Sequence, residues 1–232
     1  MRIHLLFDLL AWCTAVAVGL AVWRWRLRDT VTQLKTRLDG AYFPHLSLGA
    51  IAGAWGFGSL NLWLSGLPVP GHSILGALVG AIASVEFYKQ RRGLRGSTGV
   101  MFAAPLAAAV VIGRIGCFRA GLADQTHGTP SDLPWAVDFG DGIARHPVQL
   151  YEAASIALVL MALLWGLARR SPRALGHGFY YVVGAYGAQR FAWEFLKPYA
   201  TLLGPFNLFH LLAAALVLYA WAMARSTPLV HA

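Results

Sequence analysis

Charged residues are scarce in this chain of 232 residues. Asp and Glu together number 10, Lys and Arg number 19, and the four types make up 12% of the sequence. Hydrophobic residues make up 57%, and the mean hydropathy is +0.55. A soluble domain of this size could not cover its surface with so few polar side chains. The composition therefore predicts a polytopic membrane protein.

Cysteine and metal-binding patterns are also nearly absent. The two cysteines, Cys13 and Cys117, lie within separate apolar stretches, so we expect no disulfide and interpret Cys13 as a small buried residue. The sequence contains no HExxH or CxxC motif, and we expect no metal and no other cofactor. Internal repeats, low-complexity tracts and interdomain linkers are missing, so residues 1–232 are expected to form a single integral membrane domain.

Apolar stretches of roughly 20 residues, the length of helix that crosses ~30 Å of hydrocarbon, recur along the chain. There are seven, at 3–23, 42–64, 71–88, 98–118, 148–168, 176–196 and 205–224. The expected fold class is therefore all-α, a polytopic membrane protein with about seven transmembrane helices. We expect the first stretch to be retained, because its basic cluster follows the apolar run, whereas a signal peptide has its basic residues ahead of it.

Basic residues follow the first, third, fifth and seventh stretches. They are Arg24, Arg26, Arg28, Lys35 and Arg37, then Lys89, Arg91, Arg92 and Arg95, then Arg169, Arg170 and Arg173, and finally Arg225. Since Lys and Arg collect on the cytoplasmic side, the N-terminus is expected outside and the C-terminus in the cytoplasm. The formal charge of +9 then reflects topology and attraction to anionic membrane lipid, and no nucleic-acid partner is expected.

One long polar segment, residues 119–147, falls on the outer side. It contains four aspartates and the basic or ionisable residues His127, Arg145 and His146. Trp135, Val137 and Phe139 alternate before a Gly-Asp-Gly turn, a pattern typical of a hairpin. The sequence predicts a small outer loop or arm here, and chemistry on this face.

Two arginines, Arg114 and Arg190, interrupt apolar stretches and have glycines nearby. A guanidinium placed within a membrane is costly, by ~3 to over ~10 kcal/mol, and indicates a functional site with an anionic partner. Gly113 and Gly116 would let a lipid headgroup or a neighbouring helix approach Arg114 closely. Tyr186 and Glu194 lie four residues before and after Arg190, on the same helical face. Arg190 and Glu194 could simply neutralise each other, but Arg114 would then lack a partner.

His72 begins the third stretch, directly after a Pro-Gly turn. A histidine at such an interface could serve only as a structural hydrogen-bonding group. Its expected depth matches that of the two arginines, however, and a neutral imidazole can take a proton from a thiol or hydroxyl nucleophile. His72 is therefore a candidate general base.

The segment RHPVQLYE, residues 145–152, leads from the outer loop into the fifth stretch. Pro147 suits the first turn of a helix, and Glu152 near the helix N-terminus interacts favourably with the helix dipole. Capping does not account for the dense polar grouping of Arg145, His146 and Tyr151.

Several of these motifs carry a family resemblance. GRIGCF at 113–118, Gly128, RHPVQLYE at 145–152 and YGAQRFAWEFLKP at 186–198 resemble the ordered motif series of the bacterial prolipoprotein diacylglyceryl transferase family. The resemblance covers roughly the last two-thirds of the chain. Three motifs in the expected order and topology make it specific.

The resemblance implies a multi-pass enzyme of the bacterial inner membrane with its active site facing the periplasm. Its lipid donor would be phosphatidylglycerol, and its acceptor the signal-peptide cysteine of a preprolipoprotein. The enzyme would join the diacylglyceryl group to the cysteine thiol as a thioether and release glycerol phosphate.

Family roles transfer to matching positions of this chain. The implied catalytic residues are His72, as the base that activates the thiol, together with Arg114 and Arg190, which would hold the phosphate. Glu194 would orient Arg190, or itself act as the base. The expected substrate-binding residues are Arg114, Cys117, Gly128, Arg145, His146, Tyr151, Glu152, Tyr186, Arg190 and Glu194. Two alternatives stay open: a phospholipid-binding protein that performs no transfer, and a divergent transferase with a different acceptor.

Overall fold

The structure, a computed structural model, describes residues 2–226 and is built mainly of helices. The α-helices are α1 (Arg2–Val22), α2 (Arg28–Lys35), α3 (Tyr42–Leu64), α4 (Ile74–Arg91), α5 (Val100–Ala120), α6 (Val148–Ala168), α7 (Pro172–Glu194) and α8 (Leu208–Ser226). A π-helical turn, Trp23–Leu27, leads α1 directly into α2, and a 3-10 turn, Gly121–Asp124, follows α5. The helical fold class is confirmed.

Within residues 2–226, four segments are long and apolar enough to cross a membrane. They are Leu5–Lys35, Val100–Asp124, Val148–Ala168 and Leu208–Ser226. The helices α3, α4 and α7 also have 18 or more residues, but they contain more glycine, polar or charged residues. The chain is therefore a multi-pass membrane protein, and each of the seven apolar stretches overlaps one long helix of residues 2–226, four of which qualify as spans.

The helix α5 lies at the centre of the packing. It contacts α1, α6 and α7, while α8 packs against α7. The helices α3 and α4 form a separate antiparallel pair whose backbones approach closely at glycines: a Cβ on Gly53 would lie 2.2 Å from the carbonyl oxygen of Gly76. The site described below sits where α5, α6 and α7 meet.

The basic stretches that follow α1, α4 and α6 lie together at one end of the bundle, here called the basic end. The Nε of Arg26 donates to the carbonyl oxygen of Leu167 at 3.1 Å, and Nη2 of Arg37 donates to that of Arg95 at 3.1 Å. The last helix reaches the same end, because the hydroxyl of Tyr219 donates to Glu86 at 2.7 Å. This grouping is what the charge pattern predicts.

The opposite end, here called the loop end, holds the long polar segment. The hydroxyl of Tyr199 donates to the carbonyl oxygen of Gln125 at 2.9 Å, and the amide of Thr129 donates to that of Leu196 at 2.7 Å. The predicted hairpin is present: β1 (Val137–Asp138) pairs antiparallel with β2 (Ala144–Arg145). Its turn uses two glycines with positive φ, Gly140 (102°) and Gly142 (80°).

Both cysteines are free, as expected. The interpretation of Cys13 as buried is wrong, because α1 packs mainly against α5 and leaves its other face exposed. Cys13 lies on that face beside Trp12, which is 73% exposed. In a bilayer this apolar face would contact lipid.

Candidate active site

Five charged side chains are buried together at the junction of α5, α6 and α7. This charged cluster consists of Arg114, Glu152, Arg190, Glu194 and Lys197, each at most 6% exposed. Charged groups are almost never buried to this extent unless they are paired. Each of these five side chains is therefore expected to have a charged partner.

Glu152 is the centre of the charged cluster. Its carboxylate lies 3.0 Å from Nε of Arg114 and 3.0 Å from Nζ of Lys197, and it also contacts Nη1 of Arg190. Glu152 is the fifth residue of α6, and α6 packs against both α5 and α7. Three cations from three parts of the chain thus converge on one carboxylate.

Arg190 is held from several sides. Its Nη2 lies 2.9 Å from Glu194, the residue one turn later, and its guanidinium carbon lies 5.4 Å from the ring centroid of Phe209 on α8. Tyr186, one turn earlier, is 2% exposed. The face predicted from the four-residue spacing of Tyr186, Arg190 and Glu194 is therefore the buried face of α7.

The inference that Arg114 would lack a partner within the chain beside an Arg190–Glu194 pair is wrong. Its partner is Glu152, which the sequence pattern assigned to the helix dipole at the start of α6. The reason is tertiary: a residue in the second turn of α6 still faces the gap between α5 and α7. The charged cluster contains three cations and two carboxylates that contact one another, so these five side chains together carry one surplus positive charge.

Several buried hydrogen-bonding atoms next to the charged cluster have no hydrogen-bond partner within residues 2–226. They include Nε of Arg190, the hydroxyl of Tyr186 and both amide atoms of Gln149. Gln149 is fully buried one helical turn before Glu152. Leaving such a group unpaired costs about 1–3 kcal/mol. These buried atoms therefore retain unused hydrogen-bonding capacity beside the charged cluster.

Gly128 fixes the outer segment against the start of α6. A Cβ at this position would lie 2.4 Å from the carbonyl oxygen of His146 and 2.8 Å from a methyl group of Val148. The amide of His146 also donates to the carbonyl oxygen of Thr129 at 3.1 Å. Gly128 and His146 thus shape the loop above the charged cluster by backbone contact.

Arg145 lies outside the charged cluster and belongs to the hairpin. Its two terminal nitrogens each lie 2.7 Å from a carboxylate oxygen of Asp141, a bidentate pair. The hydrogen bonds from Arg145 lower the pKa of Asp141 to about 2, and those same bonds raise the pKa of Arg145. Burial, with a further contribution from Arg145, lowers the pKa of nearby His127.

Tyr151 and Cys117 occupy the edges of the site. The indole of Trp135 donates to the hydroxyl of Tyr151 at 2.7 Å, and the Tyr151 ring lies 5.2 Å from that of Trp193. The ring of His146 is 6.3 Å from Tyr151. Cys117 is half-buried on α5, three residues after Arg114. The aromatic side chains around Tyr151 thus form a contiguous group at the loop end.

His72 lies on the surface immediately before α4. Its ring is 5.6 Å from that of Trp55 on α3, so in this structure it packs on the α3–α4 pair instead of contacting the charged cluster. Its assignment as a general base stays a prediction.

Two buried polar residues of the site were not singled out from the sequence. Lys197 contacts Glu152, and Nδ2 of Asn207 donates to Glu194 at 3.1 Å. The spacing of Arg190, Glu194 and Lys197, four and then three residues, is a helical pattern that could have identified Lys197. Asn207 lies after a loop, and nothing local in the sequence relates it to α7.

Comparison with known proteins gives one family. A family model described as "Prolipoprotein diacylglyceryl transferase" matches residues 9–225. Relatives named phosphatidylglycerol–prolipoprotein diacylglyceryl transferase include that of Bordetella parapertussis, 37% identical over 74% of this chain and 60% of its own length. The protein of that name from Methylococcus capsulatus is 39% identical over 55% of this chain and 48% of its own length. The protein of that name from Vibrio vulnificus is 35% identical over 71% of this chain and 62% of its own length.

The chain spans about 60% of the length of the curated relatives that it matches over the longest alignments. No solved structure matches it.

Proposed function

Since this chain belongs to the prolipoprotein diacylglyceryl transferase family, we propose that it transfers the diacylglyceryl group of phosphatidylglycerol to the signal-peptide cysteine of a preprolipoprotein. The relatives' names give the donor and the acceptor class. The observation that carries the proposal is the convergence of Arg114 and Arg190 on Glu152, in a buried cluster with a surplus positive charge.

The charged cluster suits a phosphodiester headgroup. Arg114 and Arg190 would hold the phosphate, and Nε of Arg190 and the hydroxyl of Tyr186 are donors with no other hydrogen-bond partner in residues 2–226. Guanidinium groups bind phosphate through charge-assisted, often bidentate, hydrogen bonds. Negative charge grows on the phosphate oxygen as it leaves, so these contacts strengthen in the transition state.

The proposed reaction exchanges one bond for another at a glycerol carbon. The cysteine sulfur attacks the carbon of the diacylglyceryl group that is bonded to the phosphate oxygen. A carbon–sulfur bond forms, the carbon–oxygen bond breaks, and glycerol phosphate leaves with the bonding electron pair. The thiol proton passes to a base, for which His72 is the proposed residue. Glu194 would hold Arg190 in position through its 2.9 Å ion pair.

The membrane arrangement is part of the same proposal. Seven spans with the basic end in the cytoplasm would place the N-terminus outside and the loop end at the periplasmic face of the bacterial inner membrane. The lipid would then enter laterally from the outer leaflet, with its acyl chains between helices and its headgroup at the charged cluster. The outer segment 119–147 would lie above it as a small arm.

The direct test is a transfer assay with purified protein. The protein is incubated in vesicles of phosphatidylglycerol with a synthetic lipobox peptide that has one cysteine. The mass of the peptide is then measured by mass spectrometry. We expect a thioether-linked diacylglyceryl adduct, which a peptide with serine in place of the cysteine should not form. Vesicles of phosphatidylcholine supply the donor control.

The outcomes separate the alternatives. Arg190→Gln should abolish the adduct, and His72→Ala should slow its formation; a full rate in His72→Ala removes His72 as the base. Phosphatidylglycerol that co-purifies with a wild-type protein unable to form the adduct would favour a phospholipid-binding protein or a different acceptor. Transfer from phosphatidylcholine at the same rate would contradict the proposed donor.

A further inference from the structure

An ion pair and a hydrogen bond connect Arg190, through Glu194, to the beginning of α8. Nη2 of Arg190 lies 2.9 Å from Oε2 of Glu194, and Oε1 of Glu194 accepts from Nδ2 of Asn207 at 3.1 Å. Asn207, immediately before α8, is 2% exposed, and Glu194 is 1% exposed. Both oxygens of Glu194 are therefore committed, one to the arginine and one to the asparagine.

The orientation of the Asn207 amide is fixed by its second role as the N-cap of α8. Its Oδ1 accepts from the amide of His210 at 3.0 Å, while Nδ1 of His210 accepts from the amide of Asn207 at 3.2 Å. This reciprocal pattern is a capping box, with histidine in the place usually taken by Glu or Gln. With Oδ1 directed at the helix, only the NH₂ group remains to face Glu194.

His210 keeps this capping box in place. Its ring lies 4.3 Å from that of Phe195 and 5.0 Å from that of Phe191, and the residue is 1% exposed. Nδ1 of His210 lies 3.2 Å from the amide nitrogen of Asn207 and 3.1 Å from its Oδ1, so the imidazole contacts both the main chain and the side chain of the capping residue. Asn207 thus connects the start of α8 to the end of α7: its Oδ1 accepts from the helix, and its NH₂ group donates to Glu194.

We propose that Asn207 is a positioning residue for Arg190, acting through Glu194, and that it tunes how the site binds and releases the phosphate of its lipid. Asn207 does not touch the substrate. Without its donor, the Glu194 carboxylate can rotate, and Arg190 loses one of the two carboxylates that set the direction of its guanidinium. The inference rests on the proposed function, since it assumes that Arg190 contacts the headgroup.

Asn207→Ser is the most informative variant, because serine still caps a helix but cannot reach Glu194 as an amide donor. We expect kcat/KM for phosphatidylglycerol to fall about tenfold, the loss typical of one hydrogen bond to a charged group, and the thermal unfolding midpoint to fall as well, because Oε1 of the buried Glu194 loses its donor. Asn207→Ala should show the same kinetic loss together with a still lower midpoint, since it also loses the cap.

A matched control removes another buried side-chain hydrogen bond far from the site. The hydroxyl of Tyr42 donates to Oγ1 of Thr98 at 3.3 Å, and Thr98 lies 16 residues before Arg114 near the basic end. Thr98→Val is expected to leave kcat/KM unchanged. If Asn207→Ser lowers only the unfolding midpoint, as a purely structural residue would, the inference is wrong.

A double-mutant cycle tests the route through Glu194. In a Glu194→Gln background the ion pair to Arg190 is already lost, so Asn207→Ser should have little further effect on kcat/KM. Independent, multiplicative losses in the double variant would show that Asn207 does not act through Glu194 and would overturn the inference.

Failure of this inference is distinguishable from failure of the proposed function. If the wild-type protein forms no adduct, the same variants are compared by the rise in unfolding midpoint that phosphatidylglycerol produces. A smaller rise in Asn207→Ser than in Thr98→Val supports the positioning role even without transfer. An equal rise contradicts it, and a wild-type protein that neither transfers nor responds to the lipid contradicts both proposals.

Discussion

Replacing Glu152 with glutamine removes the one negative charge that three cations share. Glu152 is fully buried, and Arg114, Arg190 and Lys197 all contact it. Glutamine keeps the shape but leaves three buried positive charges with only Glu194 to balance them. Removing one partner of a buried ion pair destabilises proteins by about 3–5 kcal/mol. For a chain of this size, that corresponds to a fall of about 6–20 °C in the unfolding midpoint.

The charge change also predicts a response to lipid. Neutralising Glu152 raises the surplus of the charged cluster from one positive charge to two, so an anionic headgroup should stabilise Glu152→Gln more than it stabilises the wild type. Thermal unfolding in nanodiscs of phosphatidylglycerol and of neutral phosphatidylcholine measures both effects. The difference between the two lipids should be larger for the variant.

Glu86→Gln is the matched control, the same substitution in a half-buried ion pair near the basic end. Glu86 lies 2.8 Å from Nζ of Lys89 and accepts from Tyr219. Glu86 balances one buried cation, Lys89, whereas Glu152 balances three, so the midpoint of Glu86→Gln should fall less and show no dependence on lipid charge. Equal losses in the two variants, or an equal lipid response, would refute the reasoning about Glu152.

The remaining predictions concern the rest of the site. Gly128→Ala should destabilise the protein by about 1–3 kcal/mol through its clash with His146, seen as a lower unfolding midpoint, whereas Gly56→Ala, with open space around it, should not. Glu194→Gln should slow transfer while lowering stability less than Glu152→Gln does, because Glu194 pairs with one cation instead of three; a larger stability loss would contradict this. Asp141→Asn should free Arg145 and speed tryptic cleavage after it, and unchanged cleavage would show that the pair does not hold the hairpin. Because the pKa of Asp141 is lowered to about 2, this ion pair should persist above the usual carboxyl pKa of ~3.9 and be lost only as the pH falls through about 2, which a carboxyl NMR titration would show.

Much of the helical architecture is predictable from the sequence because membrane spans need long apolar runs. The runs at 42–64 and 148–168 coincide with α3 and α6, and the hairpin appears where alternating residues precede a Gly-Asp-Gly turn. The continuation of α1 through a π-helical turn into α2 was not predicted, because basic residues after a span are compatible with either a loop or a helix.

The site was predictable only in part, since spacing along one helix is visible in a sequence and contact between helices is not. The pairing of Arg190 with Glu194 follows from their four-residue separation. The pairing of Arg114 with Glu152 joins two helices. Predicting it would need the knowledge that the second turn of α6 faces α5. The contact between Asn207 and Glu194 was the least predictable, because it depends on the path by which the loop after α7 brings Asn207 back to the end of that helix.

The proposed function depends above all on Arg114 and Arg190 holding the phosphate of phosphatidylglycerol together. An experimental structure of the protein in a phosphatidylglycerol nanodisc tests it most directly. We expect the headgroup phosphate at the loop end, with oxygens within ~2.7–2.9 Å of nitrogens of both guanidiniums. A phosphate bound elsewhere, with both arginines still paired only to Glu152 and Glu194, would show that the two arginines do not hold the headgroup.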